Sequence, residues 1–157
     1  MSKWISLSFV VAACGHAPAQ HVATTSTPGA ANPDDLQLTK LGVTLPGLRR
    51  AYPSLVVEEG KRSATITVGA LSVDIAEGDP MTLEDWRREN PVVDSRETEH
   101  GFFAESQDRH TLRSYLHTQV TLQGRTLSCD WDMDDLPPES IEVRTACERM
   151  FPIGKPR

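Results

Sequence analysis

Between Ala64 and Ile75 the chain alternates apolar and polar residues in two consecutive runs. Ala64, Ile66 and Val68 alternate with Thr65 and Thr67, and Leu71, Val73 and Ile75 alternate with Ser72 and Asp74. A period of two places every apolar side chain on one face of an extended strand, and an α-helix does not share that period. Gly69-Ala70 separates the runs, and glycine at the first central position is the choice of a type II′ turn. This stretch therefore predicts a half-buried antiparallel hairpin, whose apolar face must be closed by other elements of the same domain.

Upstream, Leu36-Gln37-Leu38-Thr39-Lys40-Leu41 before Gly42 reads as a short strand or helical turn. Leu45-Pro46-Gly47-Leu48 opens a turn, Leu48 to Tyr52 fits one helical turn before Pro53, and Leu55 to Glu58 is a strand. Downstream, Thr82 is a good N-cap, Asp85 stands three residues on, and Asn90-Pro91 stops the helix. Leu83 and Trp86 would face the sheet while Glu84, Arg87 and Arg88 stay wet, which makes Trp86 a core anchor rather than a ligand platform. After a polar stretch, Gly101 to Ser106 gives a strand with Phe102 and Phe103, and Asp108-Arg109 a turn.

Leu112, Ser114, Leu116, Thr118, Val120 and Leu122 then share one strand face. Gln123-Gly124 turns the chain into a last strand with Leu127, Cys129 and Trp131 on one side. Leu136-Pro137-Pro138 opens a final helix, since proline is tolerated in a first turn. In it Val143, Ala146, Cys147 and Met150 make one apolar stripe. The order hairpin, helix, meander, helix predicts an α+β fold: an antiparallel sheet of about 5–7 strands, with two helices packed on one side.

The start of the chain is of another kind. Lys3 precedes an apolar run from Trp4 to Ala13, broken only by two serines and ended by Cys14. About ten apolar residues are too few to span a bilayer as a helix, which takes about 20, but suit a secretory signal. Val11-Ala12-Ala13-Cys14 resembles the lipobox of bacterial lipoproteins: an aliphatic residue, two small residues and the cysteine that is lipidated. That resemblance implies a diacylglyceryl thioether on Cys14, cleavage before it, and acylation (palmitate-type) of the new amino group. Several chains anchor firmly where one holds only marginally. Cleavage after Ala17-Pro18-Ala19 is an alternative that would release a soluble secreted protein, and an uncleaved anchor or an apolar first helix are two more. Gly15 to Asp35 is rich in Ala, Thr, Pro, Ser and Gly without apolar periodicity and reads as a tether; His16 and His21 in it read as solvated. The expected layout is a signal peptide over 1–13, lipidated cysteine and tether over 14–35, and one α+β domain over 36–157.

Composition bounds the partners. The chain carries 16 Lys and Arg against 22 Asp and Glu, a net charge of −6, and loss of Lys3 with the signal makes it one unit more negative. The basic residues are scattered, as in Arg49-Arg50, Lys61-Arg62 and Arg87-Arg88, whereas nucleic-acid binding wants a clustered basic footprint. Of the 3 cysteines, Cys14 spent on lipid leaves Cys129 and Cys147 as an even pair for an oxidising compartment. A disulfide between them would stabilise by about 3 kcal/mol in the chain-entropy model; two buried thiols are the alternative.

For chemistry, the densest stretch is Asp130-Trp131-Asp132-Met133-Asp134-Asp135. Asp130, Asp132 and Asp134 match positions 1, 3 and 5 of a calcium loop, but Asp135 stands where glycine is needed and Ile141 where a bidentate Glu is needed. A solvated acidic turn before a helix N-terminus, where negative charge is favoured, explains the same residues. His100, His110 and His117 form no tight zinc spacing, and His117, alternating with Leu116, is expected at the surface. No nucleophile elbow or glycine-rich phosphate loop occurs, so no cofactor and no enzyme activity is expected.

The Cys129 strand followed by the Cys147 helix looks like the C-terminal pattern of small lipoproteins of the myxobacterial type, and the element order is loosely similar to PsbP-like or DcrB-like envelope domains. The resemblance carries no functional residue across. The lipobox-like start, the tether and the absence of a chemical site point instead to an envelope protein held in the membrane by lipid on Cys14, with a non-catalytic domain that binds a protein partner in the periplasm. Gly15 in place of an Asp-type retention signal implies the outer membrane. A small-ligand or Ca²⁺-binding lipoprotein is the alternative function.

Overall fold

A computed structural model describes residues 32–108, 110–111, 113–133 and 139–155. Ten strands and three helices follow one another along them: β1 (Leu36–Leu38), β2 (Val43–Leu45), α1 (Leu48–Ala51), β3 (Val56–Glu59), β4 (Ser63–Val68), β5 (Leu71–Gly78), α2 (Leu83–Glu89), β6 (Val92–Thr98), β7 (Gly101–Gln107), β8 (Ser114–Leu122), β9 (Arg125–Met133), α3 (Glu139–Glu148) and β10 (Phe151–Pro152). The fold is α+β. Seven strands form one antiparallel sheet in the order β3-β4-β5-β9-β8-β7-β6, and β1-β2-β10 form a small second sheet.

The β4–β5 hairpin folds as its alternation requires. Val68 pairs with Leu71 across a two-residue turn, and Gly69 has φ 59°, as a type II′ turn demands at its first central position. The β8–β9 turn differs: Gln123 and Gly124 both have positive φ, 54° and 77°, the signature of type I′. Leu122 therefore faces Arg125, and counting outward along both strands sets Thr118 opposite Cys129 and His117 opposite Asp130.

The inner face of the sheet carries the main core. Ile66, Val73, Ile75, Phe103, Leu116, Val120, Leu127, Cys129 and Trp131 pack against the stripe Val143, Ala146, Cys147 and Met150 of α3 and against Leu36, Leu38 and Leu48. The Cys129–Cys147 disulfide, with 6.3 Å between Cα atoms, ties the helix to the sheet inside this core.

Both long helices were expected on one side, and this is corrected by α2, which lies on the other face. Leu83 and Trp86 pack there with Phe102, Ala104, Met81 and Val92. The reason lies in β7 and β8. Phe102 alternates with Phe103, so both faces of β7 are apolar, and a strand buried on both sides reads as a continuous run. The polar stretch after α2 is itself a strand, β6, at the sheet edge. A bulge between Val92 and Asp94 and its charged side chains suit an edge that must not pair indiscriminately.

Candidate functional site

The densest polar constellation lies beneath α2. Thr82 caps the helix, accepting from the Asp85 N–H at 3.1 Å, and Gln119 clamps the approach. The Met81 N–H donates to Gln119 Oε1 at 3.0 Å and Gln119 Nε2 donates to the Met81 carbonyl at 2.7 Å. The side chain thereby acts as a strand partner for Met81. With the helix so placed, the Trp86 indole lies flat on the His117 imidazole, 4.0 Å between centroids and 12° from parallel. Tyr115 stacks at 6.1 Å on the same indole, and Trp86 Nε1 donates to Ser106 Oγ at 3.4 Å.

His117 Nδ1 sits 2.5 Å from Asp130 Oδ1, and the Tyr115 hydroxyl donates to the same oxygen at 2.9 Å. Burial acts most strongly on Asp130 and pushes its carboxyl up. The hydrogen bond and charge of His117, with hydrogen bonds from Ser128 and Tyr115, together outweigh burial and hold it below the usual aspartate value. Burial, then the Asp130 charge, pushes the Tyr115 phenol above the usual tyrosine range. An ionised carboxylate only accepts, so Nδ1 is the donor in this hydrogen bond. Nε2 is buried without a hydrogen-bond partner. The pair has the orientation of a carboxylate-positioned base, but Trp86 and Phe102 seal its working nitrogen. The arrangement anchors α2.

His117 thus points to the outer face, as its alternation predicts, but it is buried, at 7 % exposure; an expectation of surface position is corrected because α2 covers it. The sequence signal for this was the turn: once Gln123-Gly124 is a two-residue turn, His117 must oppose Asp130. The other histidines are not gathered there. His100 is exposed in the β6–β7 turn, 3.8 Å from Glu99. His110 lies beyond the opposite end of β7, where Asp108 Oδ1 accepts the N–H groups of His110 and Thr111.

Of the acidic run, Asp130 serves His117 and Tyr115, and Asp132 is 3.9 Å from Arg113; Asp134 lies outside the described residues. Among the described residues no three His, Cys, Asp or Glu side chains gather in a way that could hold a metal ion. Cys129 and Cys147 are joined. Cys14, with the signal and most of the tether, lies outside the described residues. Among the described residues no helix is long and apolar enough to cross a membrane.

Among the described residues, surface grooves include the following pair. One, of about 490 Å³, runs between α1 and α3 over Leu48, Ala51 and Ala146, with Arg50, Ile141 and Arg149 at its rim. The other, of about 310 Å³, lies beside Tyr115, Arg113 and Asp132. Comparison with known protein families, with curated proteins and with solved structures finds no match to this chain in any of the three.

Proposed function

We propose that the protein is a lipid-anchored component of the bacterial cell envelope, attached through Cys14 to the outer membrane, whose folded domain is a non-catalytic module that binds a protein partner. The observation that carries this reading is Val11-Ala12-Ala13-Cys14 placed directly after a short apolar run. The tether that follows suits a domain standing off a bilayer. A disulfide between Cys129 and Cys147 suits an oxidising compartment. The sealing of His117 Nε2 favours a structural use of the His117–Asp130 pair.

Mass spectrometry of the mature N-terminus tests the anchor. A triacylated Cys14 is the expected result, with the Cys14→Ser variant moving from the membrane fraction to the soluble one. An unmodified Gln20 terminus overturns the reading in favour of a freely secreted protein.

A further inference from the structure

The chain enters the domain at the lip of the groove between α1 and α3. The Arg50 N–H donates to the Asp34 carbonyl at 3.1 Å, and its guanidinium lies 3.6 Å from the Asp34 carboxylate. The Gly47 N–H donates to Asp35 Oδ1 at 2.7 Å. Gly47 and Arg50 are also walls of the groove, so the entering segment is tied to it at three points. Cys14 stands 18 residues before Asn32, and even a fully extended chain of that length spans no more than about 65 Å. A domain of this size has a radius of gyration of about 14 Å. A lipid on Cys14 therefore keeps a bilayer close to the domain and draws this pole toward it.

What the pole presents fits a lipid surface. Ile141 on α3 is 58 % exposed, and the exposed Ala51 and the floor of Leu48 and Ala146 continue its apolar surface into the groove. Arg49, Arg50 and Arg149 are exposed beside it, and among the described residues no carboxylate pairs with Arg49 or Arg149. The carboxylates at this pole are Asp34, which faces Arg50, the buried Asp35, which holds Gly47, and Glu142, which accepts from the Tyr52 hydroxyl at 3.3 Å. In a chain of net charge −6, this is a place where exposed cations are not outnumbered. An exposed apolar side chain among Arg residues is the composition of an interfacial membrane contact, and a guanidinium matches the geometry of a phosphate. Such a contact is weak by itself. A covalent tether makes it an intramolecular event at high effective concentration, where a weak contact suffices.

We propose that the α1–α3 pole docks on the bilayer that holds the lipid of Cys14, with Ile141 entering the headgroup layer and Arg50 and Arg149 on lipid phosphates. This rests on the reading of Cys14 as lipidated. Helix α2 lies on the opposite face of the sheet from α3 and is then turned away from the membrane.

The test uses the full lipidated chain in vesicles of phosphatidylethanolamine with a minority of phosphatidylglycerol and a lipid spin-labelled at its headgroup. A fluorescent amino acid replaces Ala51 at the groove, Ser72 on the opposite face of the sheet, or Val93 on the β6 edge, one in each preparation, and flotation reports whether the protein is held by its lipid. The expected result is a protein that floats, with strong quenching at Ala51 and little at Ser72 or Val93. Arg149→Gln should lower the ratio of docked to undocked domain, read from the Ala51 quenching, roughly fivefold, as loss of one cation near an anionic surface implies. Ile141→Ser should lower it as well, with flotation unchanged in both variants. A floating protein whose Ala51 is quenched no more than Ser72 or Val93 overturns the docking and leaves the anchor standing. Quenching at Ala51 that neither substitution alters also overturns it. A protein that does not float overturns both the docking and the anchor.

Discussion

Trp86 and His117 are stacked face to face across the outer side of the sheet, 4.0 Å apart, and this contact is what holds a seven-residue helix in a fixed place. So short a helix has little stability of its own. Its position depends on the aromatic stack, the Gln119 clamp and the Thr82 cap.

Removing the stack should therefore loosen α2 before it disturbs the main core. Trp86→Ala is expected to destabilise by about 3 kcal/mol, the usual loss for a buried tryptophan. Thermal unfolding followed by circular dichroism checks this. Hydrogen exchange should show faster exchange in α2 than in β4 and β5, whose core lies on the other face.

Acid should weaken the domain partly through Asp130. Its folded pKa lies below the ordinary value, so the unfolded chain binds more protons in acid. The stabilisation is fully present above the ordinary aspartate pKa of about 4 and is lost as pH falls through the lower folded value. Asp130→Asn is expected to cost about 2 kcal/mol at neutral pH and to flatten the acid limb of a plot of Tm against pH. An acid limb as steep as the parent's would refute the assignment.

The Cys129–Cys147 bond closes a sequence separation of 18 residues and should contribute about 3 kcal/mol. The double variant Cys129→Ala/Cys147→Ala is expected to lose that amount in urea unfolding. Both cysteines are fully buried, so neither reductant nor alkylating reagent should reach the pair until the domain unfolds. Modification in the native state would count against this packing.

Gly101 is fixed by close approach. A Cβ there would sit 1.9 Å from the Gln119 carbonyl oxygen, whereas one on Gly78 would meet nothing within 4 Å. Gly101→Ala is expected to destabilise by about 1–3 kcal/mol as an overpacking change, and Gly78→Ala to stay within about 0.5 kcal/mol of the parent. The two Tm values, measured side by side, decide it.

Much of this was legible in the sequence where one face of an element is buried and the other is wet. The hairpin at Ala64–Ile75, the Thr82 cap and the Val143–Met150 stripe all follow from periodicity and turn chemistry, and the structure pairs Cys129 with Cys147. What escaped is the second layer. β6 carries Asp94, Arg96 and Glu97 and lacks an apolar period, because an edge strand is stabilised by one neighbour and by contacts such as Arg96 with Glu148 that no local pattern encodes. The burial of His117 escaped for a related reason. Alternation assigned its side correctly, but not the helix that would later cover that side.

The small sheet has a practical corollary. β1 and β10 flank β2 on its two sides, so the first and last strands of the described chain run within roughly 15 Å of each other, by ordinary strand spacing and rise. A protein pulled by its N-terminal side is loaded first through the three-residue ladder between β1 and β2, not through the seven-stranded sheet. β1 and β10 both run antiparallel to β2 and so parallel to each other, which puts a fusion placed after β10 at the Val43 end of β2, away from the Leu45 end where the chain enters β1. Reporters can also be carried in the Gln123-Gly124 turn or the Gly69-Ala70 turn, where both flanking strands are already fixed by their neighbours.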